Sequence, residues 1–454
     1  MSVLDKAKAV LLPKLPHLAH LFTKLGAAIG ANMVYGLLCV RLLPVADYAK
    51  FAVLFGFMGT ITLLLDAGVT NTLTPMVGTQ VQDLRLIADC VASIRRIALK
   101  AYLIVAPVAG VVFILIVHRQ HWPGLVVAQM LLVLLVTAWF ARVTANYGST
   151  LILLRDRNYY YRTQIVGSVG SLALLLVSVA LHQFNIYVAI LLNVAQTMFI
   201  GGMNFRRVRQ LLGPGGSALP KLQTAILRLA TPNFPSTLFY AFQGQLTLSL
   251  IVVFGRTASV ANVGALGRLS QIFVIFNQVT VILIEPFFAR LAAEKLKRYY
   301  MLAIASGLVF CAGLTGFAFL FPGVFLWLLG PNYRQLRIET GLVILGGSCA
   351  YMYSFLWLIH TSRRFVYWWT AAANIILVLL VESVFIFKMD LSSVRNVLTM
   401  NAAAGLASLL VMMGPCVWVM LWRVRIEEAA LRQGLGEPYA AYMRRTWRLI
   451  PLIY

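Results

Sequence analysis

The stretch RRVRQLLGPGGSALPKLQTAILRLATPNF, residues 206–234, is the longest polar interruption in an otherwise apolar chain. It is rich in turn-forming residues, as linkers are; these are Gly213, Pro214, Gly215, Gly216 and Pro220. Residues 221–228 follow as a short amphipathic stretch, which we expect to form a helix on the inner membrane surface. Six long apolar segments precede this linker and six follow it, so the sequence predicts two halves of equal helix number.

The composition excludes a soluble or a disordered protein. Of 454 residues, 61% are hydrophobic and 11% are charged, against about 25% charged residues in a soluble domain. The mean hydropathy is +0.84 and the formal net charge is +24. In a soluble protein, such a positive charge would suggest binding to nucleic acid. Here the basic residues lie between apolar segments, which is typical of cytoplasmic loops, so no nucleic-acid partner is expected.

The apolar segments are long enough to cross a bilayer, which takes roughly 20 residues for about 30 Å of hydrocarbon. We place twelve of them, at 20–43, 50–73, 100–118, 124–146, 161–181, 184–204, 235–255, 260–286, 301–322, 338–360, 366–387 and 397–422. If both termini are cytoplasmic, 27 of the 38 Lys and Arg residues lie inside and 8 outside. This asymmetry follows the positive-inside rule and supports the helix count.

The predicted architecture is therefore an all-α integral membrane protein with about 12 transmembrane helices in two six-helix lobes. The parts are an N-terminal lobe at 1–205, a cytoplasmic linker at 206–234, a C-terminal lobe at 235–422 and a basic cytoplasmic tail at 423–454. Even helix numbers give both lobes the same orientation, as in transporters built from parallel repeats. A membrane-embedded enzyme or scaffold of similar helix count is the alternative.

The sequence contains no constellation of catalytic or metal-binding type. Its five cysteines are isolated and odd in number, which predicts neither disulfides nor a zinc site. His118 and His121 lie in a short outside turn beside Trp122, where interfacial anchoring is the better explanation. A serine elbow, a paired-carboxylate motif and a phosphate-binding glycine loop are also missing. We therefore expect no cofactor, and transport is favoured over catalysis.

Arg268 is the best candidate for a functional residue. It lies about eight residues, or roughly 12 Å, into the eighth segment, and an ionisable residue at that depth usually faces a cavity. Gln271 and Gln278 fall on the same helical face by their spacing, so the three side chains predict a polar cavity lining. A guanidinium can hold two phosphate oxygens at once. The alternative is a buried ion pair with a neighbouring carboxylate.

Five further ionisable residues lie within or beside the apolar segments. Lys24 is one turn into the first segment. Its side chain either extends to the lipid headgroups or places a positive charge at the inner mouth of a cavity. Arg142 is an inside flank if the fourth helix ends near residue 146, and lies near the midplane if the helix continues. Asp66 could carry a coupling proton or balance an arginine. Glu285 is near an inner helix end, where an interfacial salt bridge is favoured. Glu382 is near an outer end and is the least informative.

The segment RLLPVADYAKFAVLFGFMGTITLLLDAGVTNTLTPMVG, residues 41–78, resembles the start of the oligosaccharide flippase, or polysaccharide transporter, family. That family belongs to the multidrug/oligosaccharidyl-lipid/polysaccharide exporter superfamily, whose folds are MATE-like. The matching residues are Arg41, Leu42, Leu43, Pro44, Asp47, Tyr48, Asp66, Ala67 and Gly68; the usual glycine after the tyrosine is Ala49 here. Residues 255–291 resemble, more loosely, the start of the family's second lobe.

The resemblance implies a lipid-linked oligosaccharide of polyprenyl-phosphate type, moved between leaflets by alternating access. Arg268, with Lys24 and Arg142, would meet the phosphate, while Asp66 and Glu285 would be structural or coupling carboxylates. The implied location is the bacterial inner membrane, in polysaccharide or lipopolysaccharide biosynthesis. Implied partners are the lipid-linked oligosaccharide, membrane lipids, and glycosyltransferases or a polymerase of the same pathway. A drug or cation antiporter of the same superfamily is an alternative and would favour carboxylates in its cavity.

The tail RVRIEEAALRQGLGEPYAAYMRRTWRLIPLIY, residues 423–454, resembles a different group, the isoprenylcysteine carboxyl methyltransferases and phospholipid methyltransferases. The matching residues are Glu427, Glu428, Leu431, Gly436, Tyr439, Tyr442, Arg445 and Arg448–Pro451. The companion Arg-His-Pro-type motif is absent, since 396–416 contains no histidine. A membrane methyltransferase is therefore a further alternative, and a basic amphipathic helix on anionic lipid explains the tail without catalysis. A glycan polymerase or glycosyltransferase is disfavoured because the sequence has no long outside loop.

Overall fold

The structure is a computed structural model that describes residues 15–66, 68–77, 82–118, 120–213, 216–231, 234–284, 287–288, 293–362 and 368–435. Throughout these residues the regular structure is helical. The helices are α1 Leu15–Leu42, α2 Val45–Asp66, α3 Leu73–Val77, α4 Leu84–His118, α5 Gly124–Leu153, α6 Arg157–Ala180, α7 Ile186–Leu212, α8 Pro220–Ala230, α9 Phe234–Phe254, α10 Thr257–Leu269, α11 Gln271–Val279, α12 Ala293–Leu320, α13 Pro322–Leu329, α14 Arg337–Ser362, α15 Trp368–Lys388 and α16 Val394–Leu435.

Within the described residues, ten helical segments are long and apolar enough to cross a membrane, with α10 and α11 counted together. The helices α1 and α9, of 28 and 21 residues, run beside them. This confirms the predicted all-helical membrane fold with about twelve transmembrane helices. Several helices extend well beyond their apolar segments: α4 begins at Leu84 and α7 ends at Leu212.

The extensions form because a second apolar cluster stabilises them outside the membrane-spanning part of the first half. Ile87, Ile94, Tyr147, Val208 and Ile226 are buried in this cluster, which joins α4, α5, α7 and α8. The helix extensions contain too many charged residues to be recognised as membrane spans, so hydropathy alone predicts shorter helices.

The helices pack as two groups. In the first, α1 packs on α6, α5 on α7 and α2 on α5; in the second, α14 and α15 pack on α16 and α12 packs on α14. We call these groups the first lobe (α1–α7) and the second lobe (α9–α16). They meet where α2 packs against α9 and α10, and we call this contact the seam.

The two ends of the bundle are named by what they carry. The end that holds the linker is called the basic end. The other, called the far end, carries the connections at 43–44, 120–123, 181–185, 255–256, 321–336 and 389–393.

At the far end the lobes are tied together. The Gln120 Nε2 group donates to the Val252 carbonyl at 2.6 Å, and its Oε1 accepts from the Thr257 hydroxyl at 3.0 Å. The Arg41 guanidinium lies 5.8 Å from the ring centroid of Trp327. The described conformation therefore has its lobes joined on the far side.

The linker helix α8 packs against the first lobe. Ile226 and Ala230 are buried there, whereas Leu227 and Leu229 are exposed. Ahead of the helix, the Ser217 amide donates to an Asp89 carboxylate oxygen at 2.7 Å. The amphipathic helix expected on the membrane surface thus places part of its apolar face on the protein.

Candidate functional site

Arg268 reaches from the second lobe across the seam to the first. It lies in the last turn of α10, and helical side chains point towards the N-terminus of their helix, which here is the far end. Its Nε donates to the Tyr48 hydroxyl at 3.5 Å, and its guanidinium carbon is 5.6 Å from the centroid of the Phe51 ring. Both aromatic residues are buried on α2. The guanidinium is thus held at the seam and not among lipid chains.

A glycine on α1 makes room for this arginine. A Cβ atom on Gly36 would lie 3.2 Å from Arg268 Nη1 and 3.3 Å from its Cδ. Such contacts are tighter than ordinary van der Waals packing, so a larger side chain at position 36 would move the guanidinium. Gly36, Tyr48 and Phe51 together form the first-lobe wall of the arginine site.

Arg268 has no acidic partner among the described residues. The ion pairs found there join Lys50 to Asp47, Arg142 to Asp66, Arg207 to Asp156, and Arg395 to Glu339. The alternative of a buried pair with a carboxylate is therefore not seen in the described part of the chain. The tyrosine hydroxyl and the aromatic face interact favourably with a cation but do not neutralise it, so the charge remains available to an anion.

The span that carries Arg268 has a local irregularity directly after it. The α10 helix ends at Leu269, Ser270 forms a tight turn in which its carbonyl accepts from the Phe273 amide, and α11 begins at Gln271. A π-helical turn, Thr280–Ile284, then follows α11. Ser270 keeps helical backbone angles (φ −65°, ψ −16°), and residues 257–279 form one span, so the predicted stripe of Arg268, Gln271 and Gln278 stays a prediction. Both glutamines are half-buried, and a role in lining a cavity stays a prediction.

Arg142 lies inside the first lobe and is 2% exposed. The α5 helix continues to Leu153, which is the second of the two predicted cases. Arg142 Nη1 donates to an Asp66 carboxylate oxygen at 2.6 Å and also to the Thr70 hydroxyl. Asp66 accepts from the Thr70 amide at 3.2 Å and from its hydroxyl. Asp66 therefore balances the charge of Arg142 through Nη1 alone, while Nε and Nη2 are buried without a partner among the described residues.

Two predicted site residues are not described in full. Lys24 lies within α1, but its side chain lies outside the described residues, and Glu285 lies wholly outside them. Their predicted roles stay predictions.

Glu382, the least informative of the predicted charges, lines a cavity between the lobes. The cavity is half open and has a volume of about 330 Å³. Its lining is mostly apolar, with Phe57 of α2, Val112 of α4 and Leu246 of α9, and includes the polar residues Thr60, Gln243, Ser249 and Glu382. Glu382 is 6% exposed. Nearly all residues of α15 are apolar, so helical periodicity does not show which of its faces meets the other lobe. For this reason the sequence does not distinguish Glu382 from an ordinary carboxylate near a helix end.

Metal binding has no structural support in the described part of the chain, where no group of three or more His, Cys, Asp and Glu side chains could hold an ion.

Comparison with solved structures gives the fold a name. Lipid II flippase MurJ, in an inward closed conformation, aligns with a TM-score of 0.65 at 12% identity, over 90% of this chain and 92% of MurJ. An inward-facing multidrug resistance MATE family transporter of the MOP superfamily aligns with a TM-score of 0.58 at 15% identity, over 85% of this chain and 94% of the transporter. This chain has the MOP superfamily fold.

A third structure with the MOP fold is a transporter from Pyrococcus furiosus, described as having a binding pocket of reverse polarity. It aligns with a TM-score of 0.56 at 14% identity, over 88% of this chain and 93% of that one. At sequence level, no family model and no curated protein matches the chain. The comparisons give no support to the methyltransferase resemblance of the tail, whose residues from Gly436 onwards lie outside the described part of the chain.

Proposed function

We propose that the protein is a flippase that moves a lipid-linked oligosaccharide of polyprenyl-phosphate type across the bacterial cytoplasmic membrane. The basic end then faces the cytoplasm, where the positive-inside rule places it. The observation that carries the proposal is Arg268, a cation held at the seam of a MOP fold without an acidic partner among the described residues. The glycosyltransferases or polymerase of the same pathway would supply or consume the substrate.

The chemistry of such a substrate matches the site. Its phosphate is an anion that must leave water to cross the bilayer, and an unpaired charge in hydrocarbon is very costly. A guanidinium offers a planar fork of donors that holds two phosphate oxygens, which offsets part of that cost. Lys24, on the basic-end half of α1, would raise the local concentration of the anionic headgroup. The polyprenyl tail would remain in the bilayer.

The joined far end gives the order of events. The lobes are tied at Gln120, Val252 and Thr257, which supports entry of the substrate from the basic end. Release on the other side requires these contacts to open, and a substrate shifts that equilibrium only through different affinities for the two states. Arg268 contacts both lobes, so an anion bound to it can make this difference.

The test compares substitutions of Arg268 in a strain that depends on this gene for glycan export. We expect Arg268→Gln to lower export at least tenfold, because hydrogen bonds to charged groups contribute about 1.5–3 kcal/mol, and lipid-linked intermediate should accumulate in the inner leaflet. Arg268→Lys keeps the charge but loses the fork and should fall between. Arg256→Gln, an exposed arginine twelve residues earlier, is the control. Full export by Arg268→Gln at equal protein level would refute the proposal.

A second candidate, a drug or cation exporter, is favoured by Glu382. A carboxylate in an apolar cavity between the lobes suits an amphipathic cation better than an anionic headgroup. In this case Glu382→Gln should abolish resistance to cationic compounds, while Arg268→Gln should leave it intact. The opposite pattern, with glycan export lost only in Arg268→Gln, supports the flippase.

A further inference from the structure

The first lobe holds a polar cluster that is separate from the arginine site. It joins Asn32 of α1, Ser168 of α6 and Gln196 of α7. Asn32 Nδ2 donates to Ser168 Oγ at 3.1 Å. Gln196 Nε2 donates to Asn32 Oδ1 at 2.9 Å and to Ser168 Oγ at 3.2 Å. Three helices thus bring two amides and a hydroxyl together.

The cluster lies near the middle of the membrane. Ser168 is at the centre of α6, and Gln196 is ten residues into α7, about 15 Å along its axis. Asn32 is exposed, and an amide exposed to hydrocarbon at this depth would cost free energy. Asn32 is four residues before Gly36, so both lie on the same face of α1, and Gly36 contacts Arg268. We conclude that Asn32 faces the seam, one helical turn towards the basic end from the arginine site.

The cluster also has unused hydrogen-bonding capacity. Gln196 Oε1 is buried and accepts no hydrogen bond within the described residues. Ser168 Oγ accepts two hydrogen bonds but donates none to a described residue. Ser171, one turn further along α6, has a buried Oγ that is also unpartnered. Buried polar groups are nearly always paired, so such a set needs an explanation.

We propose that Asn32, Ser168 and Gln196 form a subsite for the hydroxyl groups of the sugar that adjoins the phosphate. This inference rests on the proposed flippase function and names the second half of its site. A sugar hydroxyl both donates and accepts, which matches a free amide oxygen beside a free hydroxyl proton. No charged side chain bonds to these three residues within the described chain, so the subsite suits a neutral group. Four residues, or about 6 Å along the helix axis, separate Asn32 from Gly36, and a sugar is joined to its phosphate through a single oxygen.

The experiment measures binding of two lipids to the purified protein in nanodiscs. One is a short-chain polyprenyl monophosphate, and the other is the same polyprenyl phosphate bearing one hexose. We expect the wild type to bind the hexose lipid more tightly. Gln196→Leu should weaken hexose-lipid binding about tenfold, as expected for a lost buried hydrogen bond, and should leave the monophosphate unchanged. Arg268→Gln should weaken binding of both lipids.

Two further variants separate recognition from folding. Ser168→Ala removes only a hydroxyl and should reduce hexose-lipid binding by a smaller factor. Gln129→Leu, at an exposed glutamine of α5, is the matched control and should change neither affinity. If Gln196→Leu and Ser168→Ala alter both affinities equally, or neither, the subsite is refuted while the flippase function stands. If the wild type binds neither lipid, both proposals fail.

Discussion

Arg142 shows what a charged residue inside a membrane lobe requires. Its side chain is 2% exposed, yet only Nη1 has partners, while Nε and Nη2 are buried without one in the described chain. Asp66 and Thr70 close a compact network around that single nitrogen. Such a pair contributes little net stability compared with apolar residues of similar shape, but loss of one partner leaves an unbalanced buried charge.

Asp66→Asn is therefore expected to destabilise the protein by about 3–5 kcal/mol, the range for a broken buried pair. Arg142→Gln should cost less, because Asp66 is 27% exposed and retains its bonds to Thr70. The double variant Asp66→Asn, Arg142→Gln should recover part of the loss. Thermal unfolding of the detergent-solubilised variants measures this as a double-mutant cycle. Additive losses would show that the two side chains do not interact.

The elements differ in how far the sequence predicts them. The apolar segments give the membrane helices, because about 20 apolar residues have few alternatives to crossing the bilayer. The irregularity at Ser270 follows Gly267 by three residues, and the π-helical turn Thr280–Ile284 lies two residues before Pro286. Apolar periodicity places neither of them, because both lie within a single predicted membrane segment. The sequence likewise singles out Arg268 but not the cluster around Gln196, whose partners lie on distant helices.

The contact between α10 and α2 depends on one glycine. A Cβ on Gly264 would lie 2.5 Å from the Cβ of Ala52, so Gly264→Ala must push the helices apart. Gly267, one turn later, has nothing within 4 Å and is the matched control. Alanine is favoured over glycine in helices by about 1 kcal/mol, so Gly267→Ala should be neutral or stabilising. Gly264→Ala should lower the melting temperature, and equal melting temperatures for the two variants would contradict this packing.

At the scale of the whole molecule, the two lobes have different kinds of contact along the seam. The far end is joined by hydrogen bonds and by the cation–π contact of Arg41 with Trp327. The middle holds the cavity beside Glu382 and the arginine site. Apolar side chains of both lobes also pack together there, among them Leu43 of the first lobe and Leu329 of the second. For the flippase proposed above, the hydrogen bonds, each contributing about 0.5–1.5 kcal/mol, add to this apolar packing in holding the far end joined.

Gln120 supplies most of that polar contact, since its side chain bonds to the Val252 carbonyl and the Thr257 hydroxyl of the other lobe. Gln120→Ala removes both bonds, which together contribute on the order of 1–3 kcal/mol. We therefore expect the ratio of joined to separated far ends to fall by about tenfold. Spin labels at His182 and Asp390, in exposed far-end loops of the two lobes, should then report a larger population at long distance.

The control for Gln120→Ala is Gln335→Ala, which removes a far-end hydrogen bond, from Nε2 to the Asn332 carbonyl at 3.1 Å, within the second lobe. It should leave the distance distribution unchanged, because the two lobes keep every contact between them. An identical shift in both variants would mean that general loosening of the far-end loops, and not the cross-lobe bonds, governs separation. No shift in either variant would place the closing interaction in the apolar packing of α2 against α9 and α10.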